Sequence, residues 1–304
     1  MAVRPCSRIG LRSGLQRAQY NLKSLIKEME GSIHVYCINL KHRGDRWERF
    51  SKQPEMDTML KQYSFERFEG INGSALDILK DERISLRTKR NIKEHIRRDH
   101  EELDSAGGIG CYLSHTGVWK KFLERSEAYA IVFEDDAIVP VGFTAKLQRA
   151  MRDVTLLPQV PDMWYFMPHS DWYFNYKGKA NPESLVTGPW VPRTCGSFTG
   201  YMISRKGAEK LLETAFPIDM HVDLYSCLAG DLGRVYTVSH KGVSVNPYEI
   251  EQGDTDIQVS PDCPICDVPT KYGKKGIMVI NVPILILAMG ALMGLYYLGG
   301  KKRR

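Results

Sequence analysis

The chain has 304 residues, of which 43% are hydrophobic and 26% charged, and a formal net charge of +6. This is ordinary globular composition, long enough for one large domain or two small ones, with no internal repeat and no long low-complexity tract. The charge is modest, basic and acidic residues are mixed through the middle of the chain, and nucleic-acid-binding motifs are missing, so no nucleic-acid partner is expected.

Residues 1–32 are basic and lack the apolar core of a secretory signal peptide. Leu15, Ala18, Leu22, Leu25, Ile26 and Met29 recur at helical spacing. They predict an amphipathic helix, either packed on the domain or acting as a membrane-surface or transit segment. The first clear strand is 33–40, an apolar and β-branched run ending in Asn39 and Leu40. Lys41, His42, Arg43 and Arg46 follow, then a helical pattern through Trp47, Phe50, Met56, Met59 and Leu60. Strand, basic turn and helix in that order suit a nucleotide-binding unit. Arg43 and Arg46 either meet a diphosphate, whose geometry guanidinium groups match, or form a solvated basic loop.

Phe65, Arg67 and Phe68 predict a second strand, with a turn at Gly70-Ile71-Asn72-Gly73. The charged stretch 74–104 predicts helices and exposed loop, and Arg97 to Glu102 reads as solvated. Gly107, Gly108 and Gly110 then open an apolar helix through Val118, Trp119, Phe122 and Leu123. Backbone amides at a helix start can hold a phosphate. Ser114 and His115 are polar in this apolar stretch and either orient a ligand or are satisfied core groups.

Ala130-Ile131-Val132-Phe133 runs straight into Glu134-Asp135-Asp136. A short apolar run of this kind fits a strand buried on both faces, which places the acids at its carboxyl end, where open α/β sheets bind ligands. Three adjacent carboxylates repel one another unless a cation or donors neutralise them. The stretch is therefore either a divalent-metal site or an acidic turn.

Residues 141–160 predict a helix and a proline-bounded loop, Asp162 to Met167 another buried strand, and Trp172, Tyr173, Phe174 and Tyr176 an aromatic cover for a pocket or for the core. Gly196 to Ser204 reads as a strand rich in small residues, with Ser204 as N-cap of a following helix. Asp219 and Asp223, four apart, are candidate general bases or a helix cap and a surface acid. His240 follows the strand-like run Arg234 to Val238.

The ordered set VYCINL, RGDRWERF, GGIGCYLSHTGVWKKFLE, AYAIVFEDDAIV, GSFTGYMISRKGAEKLLE and PIDMHVD resembles glycosyltransferase family 25, the lipopolysaccharide-type and procollagen-type galactosyltransferases, over about residues 33–240. One departure is Gly107-Gly108, where the family more often has an acidic residue before Ile-Gly. The resemblance implies an α/β fold of GT-A type, a Rossmann-like sandwich in a domain spanning 33–250. It implies a hexosyltransferase, using galactose or glucose, with a UDP-sugar donor and Mn²⁺ or Mg²⁺. The acceptor would be a glycan, lipid-linked or protein hydroxyl, and the transfer would invert the anomeric centre. Asp136 would hold the metal, with Glu134 as helper and His240 as a further ligand. Asn39, Arg43, Arg46, Gly110, Ser114, His115, Glu134 and Asp135 would contact the donor, and Asp223, or else Asp219, would be the base. The alternative is an inactive scaffold that keeps the fold and binds a glycan or partner.

Residues 251–275 read as a linker, with Cys263 and Cys266 as a lone Cys-x-x-Cys. The seven cysteines, odd in number and scattered, do not form a disulfide framework. Residues 276–299 are apolar and long enough to span a bilayer, and 300–304 form a basic tail. These features predict a single-pass membrane protein with a C-terminal anchor and a cytosolic catalytic domain.

Overall fold

The structure is a computed structural model that describes residues 32–99, 101–154, 160–166, 186–187, 197–240, 243–248 and 257. All of them belong to the first of the two units into which the chain divides, Met1–Pro261 and Asp262–Arg304.

Near-continuous apolar runs build a central sheet whose inner strands are buried on both faces. Its strands are β1 (Ile33–Asn39), β2 (Ser64–Glu69), β3 (Tyr129–Glu134), β5 (Met163–Tyr165), β6 (Val186–Thr187), β7 (Gly200–Ser204) and β8 (Thr237–His240), in spatial order β2-β1-β3-β7-β5-β8-β6. The first three are parallel, with Val35 opposite both Phe65 and Ile131. β7 is antiparallel to β3 and to β5, with Phe133 opposite Gly200. A separate pair, β4 (Ala137–Ile138) and β9 (Asn246–Pro247), clips the chain just after the acids.

Successive residues of β3 point to opposite faces, as the period of a strand requires. Ile131 and Phe133 join a core with Phe50 of α1 (Gly44–Ser51), Met56 and Met59 of α2 (Pro54–Gln62), and Phe143 and Leu147 of α5 (Phe143–Val154). Ala130 and Val132 join the other core, with α4 (Ala106–Leu123), α6 (Arg205–Leu212) and α7 (Val222–Asp231). Ser204 caps α6 as its sequence predicts, accepting from Gly207 N at 3.0 Å.

Within the stretch from Arg97 to Glu102, Arg98, Asp99 and Glu101 are exposed as expected, but its two ends are buried. Arg97 is 2% and Glu102 5% exposed. Glu102 accepts from Asn91 Nδ2 of α3 (Leu86–Glu94) and from Arg98 N, at 2.8 and 3.0 Å. Hydrogen bonding here replaces the apolar face that the sequence lacks.

The membrane-anchored, cytosolic placement is corrected. Among the described residues no helix is long and apolar enough to cross a membrane, where about 20 apolar residues are needed. The 18-residue α4 spends its apolar side chains on the domain core. Cys227 is disulfide-bonded. The stretches 276–299 and 300–304, the linker except Ile257, the N-terminal amphipathic pattern and the aromatic run at 172–176 lie outside the described residues.

Candidate functional site

The carboxyl ends of β1 and β3 form the floor of a cleft. The turn at 70–74 after β2 is one wall, and the start of α4 is the other, presenting Gly107, Cys111, Ser114 and His115. These residues are spaced by about one helical turn, so they share a face. Arg46 of α1, His42 and Ile257 complete a cavity of about 220 Å³. Close backbone approach holds the walls together. A Cβ at Gly73 would lie 1.7 Å from Ala106 O, and one at Gly110 2.4 Å from Ile71 O. Ser114 Oγ accepts from Ile71 N at 2.8 Å and donates to Gly110 O at 2.6 Å.

The three acids have different surroundings. Asp135 is 8% exposed and engaged by protein donors, Asn39 Nδ2 at 2.5 Å and Arg46 Nη1 at 3.3 Å. Asn39 also donates to Arg43 O at 3.0 Å, and its Oδ1 accepts from Arg67 Nε at 3.0 Å. Asp136 differs: its Oδ1 is buried with no hydrogen-bond partner among the described residues. Its backbone is fixed by Tyr248 N, which donates to Asp136 O at 2.7 Å. Burial, then repulsion from Glu134 and Asp135, pushes the Asp136 carboxyl up to about 7. Burial, then Asp135, pushes Glu134 up to about 7 as well. A pair of carboxyls holding protons this far above the ordinary range is short of a positive charge.

Glu134 is oriented from behind. Trp119 Nε1 donates to Tyr201 Oη at 2.8 Å, Tyr201 Oη lies 3.0 Å from His115 Nδ1, and His115 Nε2 lies 3.1 Å from Glu134 Oε1. Tryptophan can only donate. Every group in the chain is satisfied when Tyr201 donates to Nδ1 and His115 donates from Nε2 to Glu134 Oε1, which accepts whether or not the other oxygen carries a proton. His115 is then neutral, and burial indeed lowers it to about 3. Cys111 Sγ donates to the same Glu134 oxygen at 3.8 Å.

The structure therefore brings together Asn39, Arg46, Ser114, His115, Glu134, Asp135 and Asp136. Arg43 sits beside them with its guanidinium on Asp45, at 2.9 Å. Gly110 acts in packing, at the back of the wall. Asp223 lies in the first turn of α7, near enough to Glu134 and His115 for its ionisation to feel both, and burial raises its carboxyl above the ordinary value. Asp219 lies elsewhere, accepting from Ser85 Oγ at 2.5 Å and Arg87 Nε at 3.0 Å, and so joins its turn to the start of α3. His240 ends β8, with its side chain outside the described atoms. The sequence reading missed His42, Arg67, Cys111 and Tyr201 as contributors. The i, i+4 spacing of Cys111 and His115 was the available signal for one of them.

An acid-lined cleft at the carboxyl ends of parallel strands defines a ligand-binding α/β protein. Residues 32–226 match the family described as "Glycosyltransferase family 25 (LPS biosynthesis protein)", and the chain belongs to that family. It is 30% identical over 187 residues to "Procollagen galactosyltransferase 1-A" of Xenopus laevis, covering 59% of this chain and 28% of the relative. It is 25% identical over 191 residues to "Procollagen galactosyltransferase 2" of Homo sapiens, covering 60% and 28%. It is also 26% identical over 194 residues to "Probable inactive glycosyltransferase 25 family member 3" of Bos taurus, covering 60% and 29%. The chain thus matches less than a third of the length of these relatives.

Proposed function

We propose that residues 33–250 form a GT-A-type, metal-dependent hexosyltransferase domain. It would move galactose or glucose from a UDP-sugar to a hydroxyl of a glycan, lipid-linked or protein acceptor, with inversion. The observation that carries this reading is Asp136 Oδ1, buried beside Glu134 at the end of β3 with no hydrogen-bond partner among the described residues.

Hard oxygen donors short of positive charge fit Mn²⁺ or Mg²⁺. Asp136 would hold the ion, with Glu134 contributing and His240 as a further candidate. The ion would neutralise charge that grows on the diphosphate leaving group. Asn39 and Arg46 hold Asp135 away from that task. The start of α4 lines the cleft at Gly107, and a helix start there would suit phosphate oxygens. The cavity of about 220 Å³ is smaller than the ~300–1,000 Å³ of sites that enclose a whole drug-sized ligand. It therefore suits the diphosphate end of the donor. Of the two candidate bases, Asp223 is favoured. Its carboxyl is near the acidic end of β3, whereas Asp219 is committed to Ser85 and Arg87. Burial raises the proton affinity of Asp223, which suits a group that removes a proton from a hydroxyl.

The test is UDP release by the full chain supplied with UDP-galactose or UDP-glucose, Mn²⁺ and a hydroxyl acceptor. Asp136→Ala should lose Mn²⁺-dependent donor binding. Asp223→Asn should keep binding and lose turnover. Full Mn²⁺-dependent transfer by Asp136→Ala would overturn the metal assignment. The relative named as inactive keeps the second reading in view: a scaffold that binds a glycan or partner, favoured if no UDP-sugar binds.

A further inference from the structure

Cys111 and His115 lie one turn apart on α4 and both face the end of β3. Their Sγ and Nε2 atoms are 3.8 and 3.1 Å from Glu134 Oε1, and all three ligand atoms lie within 4.8 Å of one another. Zinc bonds of about 2.0 Å to nitrogen or oxygen and 2.3 Å to sulfur place tetrahedral ligands roughly 3.3–3.6 Å apart. The three atoms therefore already stand near the separations that such an ion needs, on side chains that all line the cleft.

We propose that Cys111, His115 and Glu134 form a second cation site, for a thiophilic divalent ion of the zinc class, with its fourth position facing the cleft. Sulfur, imidazole and carboxylate together select zinc or cobalt over the hard ions suited to Asp136. The support behind His115 is in place. Tyr201 Oη, 3.0 Å from Nδ1, has a second lone pair beside the one that takes Trp119 Nε1, and with it can accept from an Nδ1–H. An ion at Nε2 would shift His115 to the Nδ1–H form, which Tyr201 would then hold. Cys111 would bind as thiolate and release its proton to solvent, so affinity should rise with pH. Among the described residues the other free thiol, Cys37, is fully buried and does not line the cleft. The site does not depend on sugar transfer, although it shares Glu134 with the proposed Mn²⁺ site.

The test uses the full chain with Cys263 and Cys266 replaced by serine, titrated with Co²⁺ and then Zn²⁺ in the absence of any nucleotide. One equivalent of Co²⁺ should give the near-ultraviolet thiolate-to-cobalt band, and Zn²⁺ should displace it. Adding Cys111→Ser should abolish the band, and Glu134→Gln should weaken Zn²⁺ binding by more than about tenfold, with the fold verified by circular dichroism. If Cys111→Ser does not fold, the loss of affinity in Glu134→Gln decides. A band that survives Cys111→Ser, or no Co²⁺ or Zn²⁺ binding by the starting chain, overturns the proposal. Zinc binding with no transfer of any sugar would count against the proposed enzyme and leave this site standing. Mn²⁺-dependent transfer without the band would do the reverse.

Discussion

Asn39 Nδ2 donates to Asp135 Oδ2 at 2.5 Å, joining the ends of two adjacent parallel strands. The bond spends Asp135 on structure and leaves its sequence neighbour Asp136 as the acid whose buried oxygen has no partner among the described residues. Substituting the two should therefore have opposite consequences. Asp135→Ala strands Asn39 and Arg46 and should destabilise the fold by about 3 kcal/mol, the low end for breaking a buried pair. Asp136→Ala should cost little in metal-free protein but abolish stabilisation by Mn²⁺. Urea unfolding with and without Mn²⁺ separates them, and equal losses for both would sink the distinction.

Glu134 and Asp136 hold protons to about 7 in the folded chain, against about 4 for free carboxyls. Between those values the folded state binds more protons than the unfolded one. Their contribution to stability is full below about pH 4 and is lost as pH rises through 7, by a few kcal/mol in order of magnitude. Metal-free wild type should therefore lose more stability between pH 5.5 and 7.5 than Asp136→Asn does, and stabilisation by Mn²⁺ should grow over the same roughly two-unit range. Thermal melts in EDTA and in Mn²⁺ measure both, and the reverse slope would contradict the assigned protonation.

Tyr201→Phe removes the oxygen that Trp119 Nε1 and His115 Nδ1 share. The ring keeps its packing, but a buried indole N–H loses its acceptor, which costs about 1–3 kcal/mol. If Tyr201 also orients His115 and Glu134, Mn²⁺ affinity should fall in a variant that remains folded. Unchanged stability would mean that the buried donors find other partners.

Gly73→Ala and Gly110→Ala test how the cleft walls are joined. The new methyl groups would meet backbone atoms, which cannot rotate away. Each should destabilise by about 1–3 kcal/mol, and Gly73→Ala by more, since its contact is the closer. Differential scanning calorimetry gives the order.

Much of this fold can be read from periodicity. β1, β3 and β7, the helix after the glycines and the Ser204 cap all follow from apolar runs and cap chemistry. The antiparallel insertion of β7 does not, because strand order depends on contacts between distant residues. The cleft was legible at Glu134-Asp135-Asp136, where acids end an apolar strand. Their division of labour was hidden, since it depends on Asn39 and Arg46, 96 and 89 positions away from Asp135. Glu102 was misread for a related reason: hydrogen bonds from Asn91 and Arg98 hold it buried at the end of a segment that composition marks as solvated.

The helix α4 lines the cleft at its start, fills the core through Leu113, Val118, Trp119 and Phe122, and has the guanidinium of Arg205 on its last carbonyls, with Nη2 2.8 Å from Leu123 O. A substitution at its buried positions must preserve the packing that also sets the cleft wall, which leaves little freedom for selection to retune this wall. Innovation in what the protein accepts would then have to arise on the rim, where side chains answer to fewer neighbours. Laboratory evolution aimed at a new ligand should accordingly accumulate its changes outside α4.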